Sequence, residues 1–440
     1  MSSSKVVPWR PDDGSKPTPE EPGSDTFRPE ILDLIEHKID ELSDDLRRLS
    51  LDIHAHPELG FEEVYTHDVL SSFMSKQGFE VKTHYLLDTA WLATFKHGKG
   101  GRTIGVNSEM DALRGIGHAC GHNLIAIAGV AVACAMKAVL ERFDISGTIQ
   151  LLGTPAEEGG GGKCDLLDRG AYKDMAICLM HVFKYHLLFV VLKTYQRCHP
   201  APGPTGSVSL SSCLAAQQCE VEYFGHTAHA ALSPWEGINA LDAAVLAYTN
   251  IGALRQQLKP NVRVHGIFEG RDWATNIIPD YAKYSFWVRS TNRVDQETAF
   301  KRVLPCLEAS AKATGCNHKI TMKKQFLDIR QNKALGDEVA RIVRSRYGAI
   351  DYEWGIKDAS TDFGNVTYEI PSLHPGFAIP TIENGGNHTS AFERAAATIE
   401  AHNACLDVSK ALATTGIRAL IDDEFFSEVQ RAFEEDKKVR

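Results

Sequence analysis

With 440 residues, 43% of them hydrophobic and 24% charged, the chain is long enough for two domains and apolar enough to build a sizeable core. A formal net charge of −10, with acidic and basic residues intermixed, argues against a nucleic-acid surface, which would need a basic patch. The ten cysteines lack the spacing of a disulfide framework and no apolar leader opens the chain, so a reduced, cytoplasmic setting is expected.

Residues 1–27, rich in Ser, Pro, Asp and Glu, carry no periodicity and read as a disordered tail. Ile31, Leu32, Ile35, Ile39, Leu42, Leu46 and Leu49 then recur at helical spacing and predict a long amphipathic helix. The turn-rich stretch His56–Phe61 precedes a second helix over Glu63–Lys76. Next come strands at Trp91–Phe95 and Thr103–Val106, an apolar helix at Leu124–Leu140 and a strand at Thr148–Leu152. A helix at Lys163–Arg169 and a strand at Ala176–Met180 continue the alternation, which predicts an α/β sheet with helices on both faces. The most apolar short run, Leu187–Leu192, is too short to span a bilayer, so no membrane partner is expected.

From about Cys213 the order becomes β-α-β-β-α-β: Gln218–Phe224, Ile238–Leu258, Val262–Phe268, Tyr281–Val288, Gln296–Thr314 and His318–Lys324. That order predicts a ferredoxin-like α+β unit over 213–325, inserted into a larger domain made of 28–212 and 326–440. A helix over Ala395–Ala413 ends the pattern.

The residues able to carry chemistry follow the strands of the larger domain, where open α/β sheets place their sites. Gly115-Ile-Gly-His-Ala-Cys-Gly-His-Asn123 puts His118, Cys120 and His122 on a glycine-loosened loop, and imidazole and thiolate are ligands a zinc-like ion prefers. Asp111 precedes this cluster. Glu157 and Glu158 sit between Pro155-Ala156 and the glycines 159–162, where one carboxylate can bind a metal while the other takes a proton. A solvated acidic turn is the plain alternative. A phosphate loop is excluded, because the first glycine and the Ser/Thr after Lys163 are missing. His388, in a Gly/Asn loop before a helix, and His229, among small residues of the insert, stand out from the other histidines. Arg289 and Asn276 are either ordinary surface and turn residues or substrate-binding groups.

Together these segments resemble the M20 metallopeptidases and amidohydrolases from about Arg28 to Thr415. His56-Pro-Glu-Leu-Gly-Phe-Glu-Glu63, Met110-Asp-Ala-Leu113, His118-Ala-Cys-Gly-His122 and Pro155-Ala-Glu-Glu158 match the conjugate-hydrolase branch. Pro234-Trp-Glu-Gly-Ile-Asn239, Arg263-Val-His-Gly266 and Thr361-Asp-Phe-Gly-Asn-Val366 look like its dipeptidase-like subgroup, the M20 domain-containing protein 2 type. Asn123 replaces the Asp usual in the wider branch, and the subgroup shares that change.

The resemblance implies a zinc-peptidase-like catalytic domain with the insert as a lid and dimerisation domain. It implies two divalent ions, zinc first and manganese or cobalt as alternatives, with Cys120 bridging them and His122, Glu158 and His388 as ligands. Glu157 would be the general base, and His229 would reach the active site of a partner subunit in a homodimer. Asn276 and Arg289 would bind substrate, and Asp111 would orient a ligand from behind. The implied activity is hydrolysis of the amide bond of small dipeptides or N-acyl amino acids, β-alanyl dipeptides among them. A biosynthetic amidohydrolase acting on one specialised metabolite shares this chemistry, and a catalytically impaired binding protein shares the fold.

One departure bears on the metal ligands. A ligand His followed by Pro is expected after the strand ending at Met180. His181 has the right distance from Glu158, whereas His199-Pro200 has the right neighbour. Removing residues 181–198 restores Leu179-Met180-His199-Pro200, so that segment is either an insertion or a translated intron. A transcript that encodes all of it would sink the intron explanation.

Overall fold

The computed structural model describes residues 27–180, 201–202, 206–351 and 359–440. The tail up to residue 26, the apolar run 187–192 and the two alternative ligands, His181 and His199, lie outside the described residues. The chain divides into two compact units, one spanning Leu214–Asp328 and the other comprising the flanking segments.

In the flanking unit the chain begins with α1 (Pro29–Ala55), started by Pro29 and burying Ile31, Ile35, Ile39, Leu42, Leu46, Leu49 and Ile53 along one stripe. After α2 (Val64–Lys76) come β1 (Glu80–Lys82), β2 (Trp91–His97), β3 (Thr103–Glu109), α3 (His122–Arg142), β4 (Gly147–Thr154), α4 (Gly162–Asp168) and β5 (Ile177–Met180). Two short strands follow before the insert, β6 (Ala201–Pro202) and β7 (Ser207–Ser209).

The insert contains β8 (Ala215–Phe224), α5 (Ala240–Leu254), β9 (Arg263–Gly270), β10 (Tyr281–Ser290), α6 (Arg293–Thr314) and β11 (Asn317–Phe326). The flanking unit resumes with α7 (Lys333–Arg346), β12 (Ala349–Asp351), α8 (Phe363–Glu369), β13 (Ser372–Leu373) and β14 (Gly376–Ile379). It closes with α9 (Ser390–Ala396), α10 (Ile399–Ile421) and α11 (Asp423–Lys437).

The main sheet runs β1-β2-β4-β3-β5-β13, with β4, β3, β5 and β13 parallel and β1 and β2 forming an antiparallel edge. β5 is buried along its whole length, as parallel strands covered on both faces must be. Among the described residues one helix, α3, is long and apolar enough to cross a membrane. Here it is a core helix, enclosed by α1, α10 and the sheet. Gly129 allows its close seat on β3: a Cβ there would lie 2.2 Å from Ser108 Oγ and 2.8 Å from Asn107 O. A smaller sheet, β12-β7-β14-β6, accompanies the main one.

The single closing helix expected over 395–413 is instead two helices broken at Ala397–Thr398, followed by a third. Thr398 Oγ1 accepts from Ala401 N and Asp422 Oδ1 from Phe425 N, so each new helix starts on its own side-chain cap.

The insert has the sheet order β11-β8-β10-β9, antiparallel throughout, which is the ferredoxin-like arrangement. Cys219, Val221 and Tyr223 of β8 pack with Phe286 and Val288 of β10 and with Ala247, Ile251, Phe300, Val303 and Leu307 of the helices. The helix expected over 238–258 is shorter. Asn239 Oδ1 caps α5 by accepting from Leu241 N and Asp242 N, and a 3₁₀ turn at Arg255–Gln257 ends it.

Candidate active site

The flanking unit gathers its chemical groups at the carboxyl ends of β3 and β4. Glu109 is the last residue of β3, Asp111 follows it, Cys120 ends the next loop, and His122 opens α3. Glu157 and Glu158 follow β4 after Pro155 and Ala156. His388 arrives from the loop before α9, fixed by its N–H donating to Ala119 O at 2.8 Å. Thr389 Oγ1 caps α9 by accepting from Phe392 N, and so holds the end of that loop.

Two trios of donor atoms result. Cys120, His122 and Glu158 each place one donor within 4.8 Å of the others, and so do Glu109, His122 and Glu157. His388 Nε2 is 2.6 Å from Cys120 Sγ and 3.1 Å from Glu158 Oε1, which joins it to the first trio. A buried set of thiol, imidazole and carboxylate donors fits divalent ions of the zinc type. His118, although wholly buried nearby, belongs to neither trio. Burial and the neighbouring His122 push it down to about 3, so it stays a neutral imidazole.

Behind the donors stand two carboxylates. Asp111 Oδ1 lies 3.2 Å from His122 Nδ1, and Asp111 Oδ2 accepts from Glu158 N at 2.8 Å. One side chain therefore orients the histidine ring and the Glu157–Glu158 backbone together. Burial alone would raise Asp111, but His122 holds it down at about 2. Burial would lower His122, but Asp111 raises it to about 9. Glu63 Oε1 accepts from Ala156 N at 2.7 Å and its Oε2 from Thr89 Oγ1 at 2.8 Å. Burial, with Asp111 adding to it, raises Glu63 to about 7.

The glycines after Glu158 have a geometric purpose. Ala156, at a left-handed φ of 55°, accepts at its carbonyl from Gly160 N and Gly161 N, closing a tight turn. A Cβ on Gly162 would lie 1.9 Å from Pro155 O. The turn returns the chain beneath the carboxylates, where Lys163 is fully buried. Its N–H donates to Asp362 Oδ2 at 2.9 Å, and its Nζ donates to Asp362 Oδ1 at 2.8 Å and contacts Glu109 Oε1. The sequence reading missed Glu109, Lys163 and Asp362 as site residues. Glu109, at a strand end next to the Met110-Asp111 motif, and Asp362, inside Thr361-Asp-Phe-Gly-Asn-Val366, were the two with a local signal.

In the insert, His229 and Asn276 share one paired loop. Ala230 N donates to Asn276 O and Ile278 N to Ala228 O. His229 Nδ1 accepts from Ala231 N at 3.2 Å and Leu232 N at 3.1 Å, so the neutral ring carries its proton on Nε2. Arg289 lies on β10 opposite Ala216 and Arg263, with its guanidinium 5.0 Å from the Trp287 ring centroid.

Comparison with known proteins gives the geometry a family. A peptidase dimerisation domain of the M20 type matches residues 216–314. The chain is 34% identical to a human Xaa-Arg dipeptidase over 90% of each chain. It is 26% identical to one of the subunits of the p-aminobenzoyl-glutamate hydrolase of Escherichia coli, over 86% of this chain and 89% of that one. A dinuclear metal-binding M20 peptidase from Bacillus subtilis superposes with a TM-score of 0.62 at 18% identity, over 87% of this chain and 99% of the other. Its fold, its donor groups and these relatives place it: the chain belongs to the M20 family of metallopeptidases and amidohydrolases.

Proposed function

We propose that this protein is a metal-dependent hydrolase of the amide bond in small dipeptides or N-acyl amino acids. In this reading it uses two divalent ions, zinc by preference, and works as a cytoplasmic homodimer. The observation that carries the reading is the convergence of Cys120, His122, Glu158 and His388, with His388 Nε2 in reach of both the thiol and the carboxylate. The names of the relatives, a dipeptidase and an aminobenzoyl-glutamate hydrolase, support amide substrates that end in an amino acid. His181 or His199 would complete the ligand set.

Bound ions would supply Lewis acidity to the scissile carbonyl and lower the pKa of the attacking water. Glu157, wholly buried in the second trio beside Glu109 and His122, takes the proton of that water and returns it to the leaving amine. His229, with Nδ1 occupied by two backbone donors, offers Nε2–H to the developing oxyanion of a partner subunit's site. Arg289 and Asn276 hold the carboxylate end of the substrate.

The dimer is supported by the insert's edge strand β9, where Ile267 and Phe268 are exposed, and by Val245, Leu246 and Tyr248 exposed on α5. An open edge flanked by apolar side chains suits pairing with a second copy.

Elemental analysis of the purified protein should find about two divalent ions per chain. The same preparation should hydrolyse members of a panel of arginine-ending dipeptides, β-alanyl dipeptides, N-acyl amino acids and p-aminobenzoyl-glutamate. Metal-loaded protein that cleaves none of them would overturn the reading.

A further inference from the structure

Glu109, Lys163 and Asp362 form a wholly buried charged trio that the chemistry above leaves unused. Lys163 and Asp362 satisfy each other through two contacts, one from the ammonium and one from the main-chain N–H. Burial would lower the ammonium, yet Asp362 and Glu109 raise it well above its ordinary range, so it stays charged.

Glu109 is a second carboxylate on this one cation, and its two oxygens have different surroundings. Oε1 contacts Lys163 Nζ. Oε2 is buried, has no hydrogen-bond partner among the described residues, and faces His122 Nε2 at 3.4 Å. The other ring nitrogen of His122 is already turned to Asp111. Glu109, His122 and Glu157 bring one donor atom each within 4.8 Å of one another. A carboxylate tied at one oxygen by an ammonium, with its other oxygen aimed beside an imidazole nitrogen, is held as a ligand is held.

The geometry points to Glu109 Oε2 as an oxygen donor to the ion on the Nε2 side of His122, with Lys163, fixed by Asp362, as the positioning residue that aims it. This rests on the proposed metal-dependent function and extends it with a ligand outside the motif set. It makes the two ions unlike each other. The ion on that side gains a hard oxygen donor that the other lacks, which makes it the more tolerant of harder metals such as manganese.

The test uses full-length metal-free protein titrated with Zn²⁺ against a chromophoric chelator, and with Co²⁺ while the visible absorption is recorded. Glu109→Gln leaves the Lys163–Asp362 pair intact and should fold. It should weaken one of the two ions about ten- to hundred-fold and change the cobalt spectrum. Lys163→Met should weaken the same ion, and if that variant does not fold, Glu109→Gln alone decides. Wild-type affinities and an unchanged cobalt spectrum in Glu109→Gln would overturn the assignment, even if turnover fell. Wild-type protein that takes up no divalent ion would instead defeat the proposed function, and this inference with it.

Discussion

Cys120 Sγ and His388 Nε2 lie 2.6 Å apart although 268 positions separate them in the chain. The main-chain bond from His388 N to Ala119 O makes the meeting a property of the backbone as well as of the side chains. If this pair helps to hold an ion, Cys120→Ser and His388→Ala should each release metal during dialysis. Elemental analysis after gel filtration checks it, and retention of the full complement by both variants would remove the pair from the ligand set.

Ion binding to the native donors should also stabilise the fold by mass action. Chelation with EDTA is expected to lower the melting temperature, and added Zn²⁺ to restore it in a concentration-dependent way. A melting curve indifferent to both treatments would show that no ion contributes to the native state.

Glu157→Gln keeps the shape of the side chain and removes its capacity to accept a proton. It should retain bound metal while kcat falls about 10²- to 10⁴-fold, the range for loss of a general base. Near-normal turnover would refute the role.

Assistance from a partner subunit can be isolated by complementation. Glu157→Gln and His229→Ala should each be nearly inactive alone. Dissociated and reassociated together, they should recover about a quarter of wild-type activity, because a mixed dimer rebuilds one of its two sites. No recovery, in mixed dimers shown to have formed, would place His229 outside the partner's site.

Gly162→Ala pushes a Cβ to 1.9 Å from Pro155 O, a backbone atom that cannot give way cheaply. We expect a loss of about 1–3 kcal/mol in urea unfolding, together with reduced activity, because the turn carries Glu157 and Glu158. Gly252→Ala is the contrasting control. Its Cβ meets nothing within 4 Å on α5, so it should stabilise by about 0.5–1 kcal/mol. Equal effects of the two substitutions would show that the turn imposes no such constraint.

His402 supplies a pH dependence away from the metal ligands. It is buried in α10 with Nε2 3.0 Å from Ser43 Oγ. Burial first, and Arg47 second, hold it down from 6.5 to about 4. Because the folded value is the lower one, the unfolded chain binds more protons in that window. The stabilisation is therefore fully present above 6.5 and is lost as pH falls toward about 4. His402→Gln should flatten the acid side of the stability profile measured by denaturant unfolding. A slope as steep as in the wild type would assign the acid sensitivity elsewhere.

Much of the architecture was legible because its signals are local. The stripe Ile31–Leu49, the strand-like runs and the β-α-β-β-α-β order of the insert follow from side-chain periodicity, which depends on neighbours a few positions away. The break at Ala397–Thr398 was harder to read, since helix-favouring alanines lie on both sides of it (Ala395–Ala397, Ala401, Ala404) and the Thr398 cap is the feature that marks it. The candidate ligands Cys120, His122, Glu158 and His388 were legible as residue types in glycine-rich contexts.

By itself the sequence determined most of the elements, the order of the insert and the candidate donors of the glycine-rich loops, because each depends on residue type and short-range spacing. Only the tertiary structure decided which atoms face one another. Glu109, Lys163 and Asp362 come from a strand end, a short helix and a loop. Lys163 and Asp362 stand 199 positions apart, and no local pattern marks them as partners. Burial then gives their meeting its weight, since an ammonium and two carboxylates that water would separate must satisfy one another in the core.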